Sequence, residues 1–97
     1  MSFYYGMDGQ PITLDEWLIL YESDDSRRVG WEVRDDVTVS TVFLGLDHNW
    51  GGGPPMIFET MIFGGAHDED QWRYSTRAEA EEGHKRALAL AFGEDAA

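Results

Sequence analysis

The 97-residue chain contains no cysteine, which excludes a disulfide framework, a thiolate metal site and a cysteine nucleophile. A secreted domain of this size usually needs such staples, so the cytosol is the expected compartment. Basic residues are also scarce: 7 Lys and Arg stand against 19 Asp and Glu, a formal net charge of −12. That deficit removes the basic footprint that direct nucleic-acid binding requires, and an anionic membrane would repel the chain. Long apolar runs are missing as well. No window approaches the roughly 18 residues of a membrane span, and residues 1–6 lack the basic and apolar regions of a signal peptide. The expectation is a chain that stays where it is made.

What is present is aromatic. Four Trp, four Tyr and five Phe are large core-formers for so short a chain, and a hydrophobic fraction of 42% is too rich for a disordered acidic tail. One folded domain is expected over residues 1–97, with 93–97 as a frayed tail. Ten acids against three Arg lie in the first half, and nine acids against four Lys or Arg in the second. Charge spread so evenly serves solubility better than it mimics a stripe of duplex phosphates.

Phe3 to Met7 has the character of an edge strand, closed by an Asp8-Gly9 turn. Thr13-Leu14-Asp15-Glu16 is a capping box, in which a Thr side chain and a Glu three residues on satisfy each other's backbone N–H groups. Leu14, Trp17, Leu18 and Tyr21 follow at helical spacing and predict a buried stripe on a helix ending near Ser23. Asp24 to Asp36 reads as a charged connection, with a short strand possible at Val29–Val33. Val37 to Asp47 is the clearest strand, rich in β-branched residues and apolar on both faces toward its end. Met56 to Phe63 predicts a second strand, antiparallel to the first. Gln71 to Tyr74 predicts a third, and the capping box Thr76-Arg77-Ala78-Glu79 opens a helix running to about Phe92, stopped by Gly93. Strands and helices do not alternate as β-α-β units. The fold expected is therefore α+β: a small antiparallel sheet of three to five strands with two helices packed on one face.

The least ordinary segment is the loop from Asp47 to Pro55. Three consecutive glycines, Gly51, Gly52 and Gly53, carry a high ordering entropy. Asp47, His48, Asn49 and Trp50 place an acid, an imidazole, an amide and an aromatic platform beside them. Loops of such composition tend to be site loops, although the spacing is not a phosphate-binding fingerprint. The alternative is a wide hairpin connection with Trp50 folded onto the core. Glu59 falls mid-strand on the same face as Ile57, Met61 and Phe63. A carboxylate there is a salt-bridge member or a ligand-facing group, and Arg73 on the next strand is its natural partner. Trp72 adds an aromatic beside Arg73. His84 borders the core-facing stripe of the second helix, and Gly83 beside it admits a close neighbour.

No catalytic set accompanies these groups. Ser75 and Thr76 are accounted for by helix capping and Ser40 by strand alternation, and there is no G-x-S-x-G elbow. His48, His67 and His84 match no metal-ligand spacing. No enzyme, cofactor or metal is expected.

The run from Val39 through Gly51-Gly52-Gly53-Pro54-Pro55 to Phe63, together with Gln71 to Thr76, Ala78, Glu79, Ala80, Gly83 and His84, resembles a family of small bacteriophage proteins, especially from phages of actinobacterial hosts. The resemblance covers about Gly9 to His84 and carries over no activity or catalytic residue. It implies an accessory protein made in the host bacterial cytoplasm; the missing catalytic set and the costly Gly-Gly-Gly-Pro-Pro loop then lead to the expectation that it acts by binding a bacterial host protein, in host takeover or counter-defence. Two alternatives accompany it. One is a sponge for a signalling nucleotide, held by the 48–55 loop with Trp50 or Trp72 and Arg73; the other is a small hydrolase using His48 or His84 with Glu59. So aromatic a small domain is also expected to be a homo-oligomer.

Overall fold

The computed structural model describes residues 4–22, 27–47 and 53–93. Helix α1 spans Leu14–Glu22; strands β1 (Arg28–Arg34), β2 (Val37–Phe43), β3 (Phe58–Phe63) and β4 (Gln71–Tyr74) follow, and helix α2 (Arg77–Phe92) closes the chain. The strands form one sheet in the order β1-β2-β3-β4, antiparallel throughout. The protein is thus α+β, as its sequence leads one to expect.

The connections explain the order. Asp35 and Asp36 make a two-residue turn between β1 and β2, and Asp35 takes the positive φ of 53° that such hairpins demand. Between β3 and β4 a short 3-10 turn, Gly65–His67, is tied down by Asp68, whose carboxylate accepts from the Gly64 N–H at 2.6 Å. Both capping boxes form. Glu16 accepts from the Thr13 N–H at 2.9 Å, and Thr13 Oγ1 accepts from the Glu16 N–H at 3.2 Å. The Thr13 backbone N–H, and then its hydroxyl, hold the Glu16 carboxyl below the ordinary glutamate range. Thr76 and Glu79 repeat the arrangement at the start of α2, and Gly93 ends that helix in the left-handed conformation.

Alternation sorts the sheet into two faces. Val39, Thr41 and Phe43 of β2 stand with Phe58, Thr60 and Ile62 of β3, all fully buried. Helix α2 covers this face with Ala80, Gly83, His84 and Ala87, an i, i+3, i+4, i+7 stripe made almost entirely of small residues. Small side chains let the helix approach closely. A Cβ on Gly83 would collide with the Tyr74 ring, so the absence of a side chain there makes room for the phenol. Phe43, Ile57, Phe58, Tyr74 and Ala80 form one buried cluster, and Val39, Ile62 and Ala87 a second.

Helix α1 departs from its sequence pattern. Three of the four stripe residues, Leu14, Leu18 and Tyr21, are exposed. The helix docks instead through Trp17, whose Nε1–H donates to the Leu44 carbonyl at 3.0 Å and whose ring packs between Tyr4 and Tyr21, and through Leu20 against the first core cluster. The strand expected over Val37 to Asp47 ends at Phe43, because the chain turns at Leu44 and Gly45, where both amides donate to the Ile57 carbonyl. The N-terminal strand is reduced to isolated bridges, Tyr4 with Leu46 and Tyr5 with Pro11. Among the described residues no helix is long and apolar enough to cross a membrane. The frayed tail expected at 93–97 lies, beyond Gly93, outside the described residues.

Candidate functional site

The open face of the sheet is the candidate site. Helix α2 is the helix packed on the sheet; on the opposite side stand Trp31 and Val33 from β1, Thr38, Ser40 and Val42 from β2, Glu59, Met61 and Phe63 from β3, and Gln71 and Arg73 from β4, with Ser40 buried at the centre. Trp31 is 49%, Val33 55% and Phe63 45% exposed. Register brings these three together at one end of the sheet: Val33 lies opposite Thr38, which lies opposite Phe63, and Trp31 lies opposite Ser40, which lies opposite Met61. The Arg28 guanidinium sits 4.7 Å from the Trp31 ring centroid, a cation–π contact.

At the other end of this face Glu59 and Arg73 pair. They are register partners on β3 and β4, and Arg73 Nε donates to Glu59 Oε2 at 3.1 Å. The partner suggested by sequence is the one found. With both side chains partly solvated, the pair contributes on the order of 0.2–1 kcal/mol. It closes the polar end of the face.

Trp72 and Arg73 are consecutive on a strand and therefore lie on opposite faces. Trp72 turns toward α2, where it lines a groove with Tyr74, Gly83, Arg86, Ala87 and Leu90; Arg73 turns to the open face. A base stacked on Trp72 and a phosphate held by Arg73 would be on different sides of the sheet.

His84 is buried, 7% exposed, at the centre of a polar chain between α2 and the sheet. Its Nδ1 lies 2.6 Å from Thr41 Oγ1, Thr41 Oγ1 lies 2.5 Å from Thr60 Oγ1, and its Nε2 bonds the Glu32 carboxylate. A carboxylate only accepts, so Nε2 carries the hydrogen, and Thr41 Oγ1 bridges Nδ1 and the Thr60 hydroxyl. Gly30 makes this possible, since a Cβ there would overlap the imidazole. Hydroxyl, imidazole and carboxylate stand in the order of a nucleophilic triad, but Thr41 and Thr60 are fully buried. In this conformation solvent does not reach either hydroxyl, and what the chain does is satisfy polar groups inside the core. Glu59 lies across the sheet from His84 and does not join it.

Of the glycine loop, His48, Asn49, Trp50, Gly51 and Gly52 lie outside the described residues. Asp47 closes its base, accepting from the Met56 N–H at 3.2 Å, and Gly53 is exposed at its exit with φ 86°. His67 contacts Asp70 locally at 3.1 Å. Among the described residues no three His, Asp or Glu side chains gather as a metal site.

Sequence reasoning missed Glu32, Thr41 and Thr60 as the partners of His84, and it missed Trp31, Val33 and Phe63 as a patch. The signal for the first set was present: a single Thr at the apolar phase of each of two adjacent strands marks a buried polar pair. The patch had no such signal, because a sequence does not say which face a helix will cover. No protein-family model, curated protein or solved structure matches the chain.

Proposed function

We propose that the protein works by binding another protein through the open face of its sheet, as a bacteriophage factor of host takeover or counter-defence in the bacterial cytoplasm. The observation that carries this reading is the exposed apolar end of that face, Trp31, Val33 and Phe63, in a chain whose other face packs against α2. Its composition supports the reading. Interface cores are enriched in aromatics, Met and Arg and poor in acids; here Trp31, Phe63, Met61 and Arg28 stand together, and Glu59 is the one acid that the described strands place on this face. The phage setting rests on the resemblance over residues 39–63 and 71–84. The formal charge of −12 favours a partner whose apolar patch is rimmed by basic residues, since complementary fields speed encounter. A second copy of the chain packing on the same face would give the expected homo-oligomer.

The test is affinity capture from a bacterial host lysate with the wild type and with Trp31→Ser/Phe63→Ser. Both side chains are already half exposed, so the variant is expected to keep its fold. A specific species retained by the wild type and lost by the variant supports the reading. Identical recoveries from the two proteins overturn it.

A further inference from the structure

The seven basic side chains are not equivalent. Arg27, Arg28 and Arg34 stack on Tyr21, Trp31 and Phe92; Arg73, Arg77 and Lys85 pair with Glu59, Glu81 and Glu82. Arg86 alone among the described cations makes no direct ion pair and stacks on no ring, although Glu79 and Glu82 line the cleft on its other side. In a chain with 19 acids, a guanidinium left unpaired is a conspicuous exception.

Arg86 stands on the wall of the groove between α2 and β4, the edge strand of the sheet. The groove holds about 220 Å³ and is lined chiefly by Trp72, Tyr74, Ala87 and Leu90, with Trp72 and Leu90 exposed. That is smaller than the ~300–1,000 Å³ of small-molecule pockets, and one side of it is β4, which pairs with no further strand among the described residues. The Tyr74 and Asp70 carbonyls accept from Ile57 and Ile62 on the β3 side, so by antiparallel alternation Gln71 and Arg73 turn their N–H and C=O groups outward. Such an edge is a template for an added strand.

We propose that this groove binds an extended segment of a protein partner as a fifth strand on β4, with a carboxylate of the segment on Arg86 and an apolar side chain two residues later between Trp72 and Leu90. The spacing follows from geometry. Arg86 and Leu90 are one helical turn apart, ~6 Å along the axis, and side chains on one face of a strand recur every ~6.6 Å. The direction follows from the fold. Tyr74 abuts Gly83, in the first half of α2, while Trp72 shares the groove with Leu90 farther along, so α2 runs back along β4. A strand antiparallel to β4 therefore runs with α2, meeting Arg86 before Leu90. This site lies on the opposite side of the sheet from the Trp31–Phe63 patch and stands or falls independently of it.

The experiment is fluorescence polarisation with labelled octapeptides of Thr carrying Glu-Thr-Leu at the centre, compared with Lys-Thr-Leu and with a version in which proline replaces the central Thr. Binding of the Glu peptide is expected to fall at least tenfold in Arg86→Glu, and the Lys peptide is expected to prefer that variant. Proline, lacking the N–H, should abolish binding to the wild type. Phe63→Ser should bind the Glu peptide as the wild type does. Equal affinity for Glu and Lys peptides, indifference to Arg86→Glu or to proline, or absence of binding to all three overturns the proposal.

Discussion

Replacing Thr41 with Val keeps the shape of the side chain and removes one oxygen. That oxygen bridges Thr60 Oγ1 at 2.5 Å and His84 Nδ1 at 2.6 Å, in a residue with no exposed surface. The substitution leaves two buried polar groups without their partner where water has no access. An orphaned buried group costs about 1–3 kcal/mol, and Thr60 regains part of its loss if its hydroxyl rotates to another acceptor. The expected destabilisation is therefore about 2–4 kcal/mol, a large share of the ~5–15 kcal/mol that holds a domain together. Urea unfolding followed by tryptophan fluorescence measures it as a lowered midpoint at unchanged slope. Thr60→Val provides the second edge of a double-mutant cycle. In the double variant the Thr60 hydroxyl is no longer there to be orphaned, so the combined loss should fall short of the sum by about 1 kcal/mol or more. A Thr41→Val protein within ~0.5 kcal/mol of wild type, or strictly additive losses, would refute the view that these three side chains act as one network.

Three further outcomes follow from local contacts. Gly30→Ala drives a methyl into the His84 ring and should cost about 1–3 kcal/mol, read as a lower melting temperature. Gly83→Ala sets two effects against each other: alanine gains up to about 1 kcal/mol of helix propensity, but its Cβ meets the Tyr74 ring, and calorimetry should find a net loss of stability. The Glu16 carboxyl is held below its ordinary value by Thr13, so its stabilising contribution is complete above the unfolded glutamate pKa and disappears as pH falls through the lower folded value. Acid titration of helix content should therefore show a late loosening step that Glu16→Gln lacks.

How far the sequence reached is clearest element by element. Local signals were read faithfully: both capping boxes close, α2 runs to Phe92 with Gly93 left-handed behind it, and β4 occupies Gln71–Tyr74. These depend on a few neighbouring residues and on backbone chemistry that tertiary structure rarely overrides. The failures are tertiary. Leu14, Leu18 and Tyr21 satisfy the helical period yet stay exposed, because periodicity identifies an apolar face and not what meets it. Glu59 found Arg73 since adjacent strands constrain register, whereas Glu32 and His84 are separated by most of the chain and share no local pattern. Gly83 was legible as a place where the helix admits a close neighbour. That the neighbour is the Tyr74 ring is a tertiary fact no local pattern carries.

The face of the sheet that α2 leaves open is the core of the functional account, and its energetics are the most direct measure of it. Once a captured partner has been purified, titration calorimetry with the wild type, Trp31→Ser, Phe63→Ser and the remote control Lys85→Ala decides the matter. If the patch is the interface, each patch variant weakens binding at least about tenfold, as buried aromatic anchors do, while Lys85→Ala and the melting temperatures stay near wild type. Equal affinities across all four proteins would contradict the account.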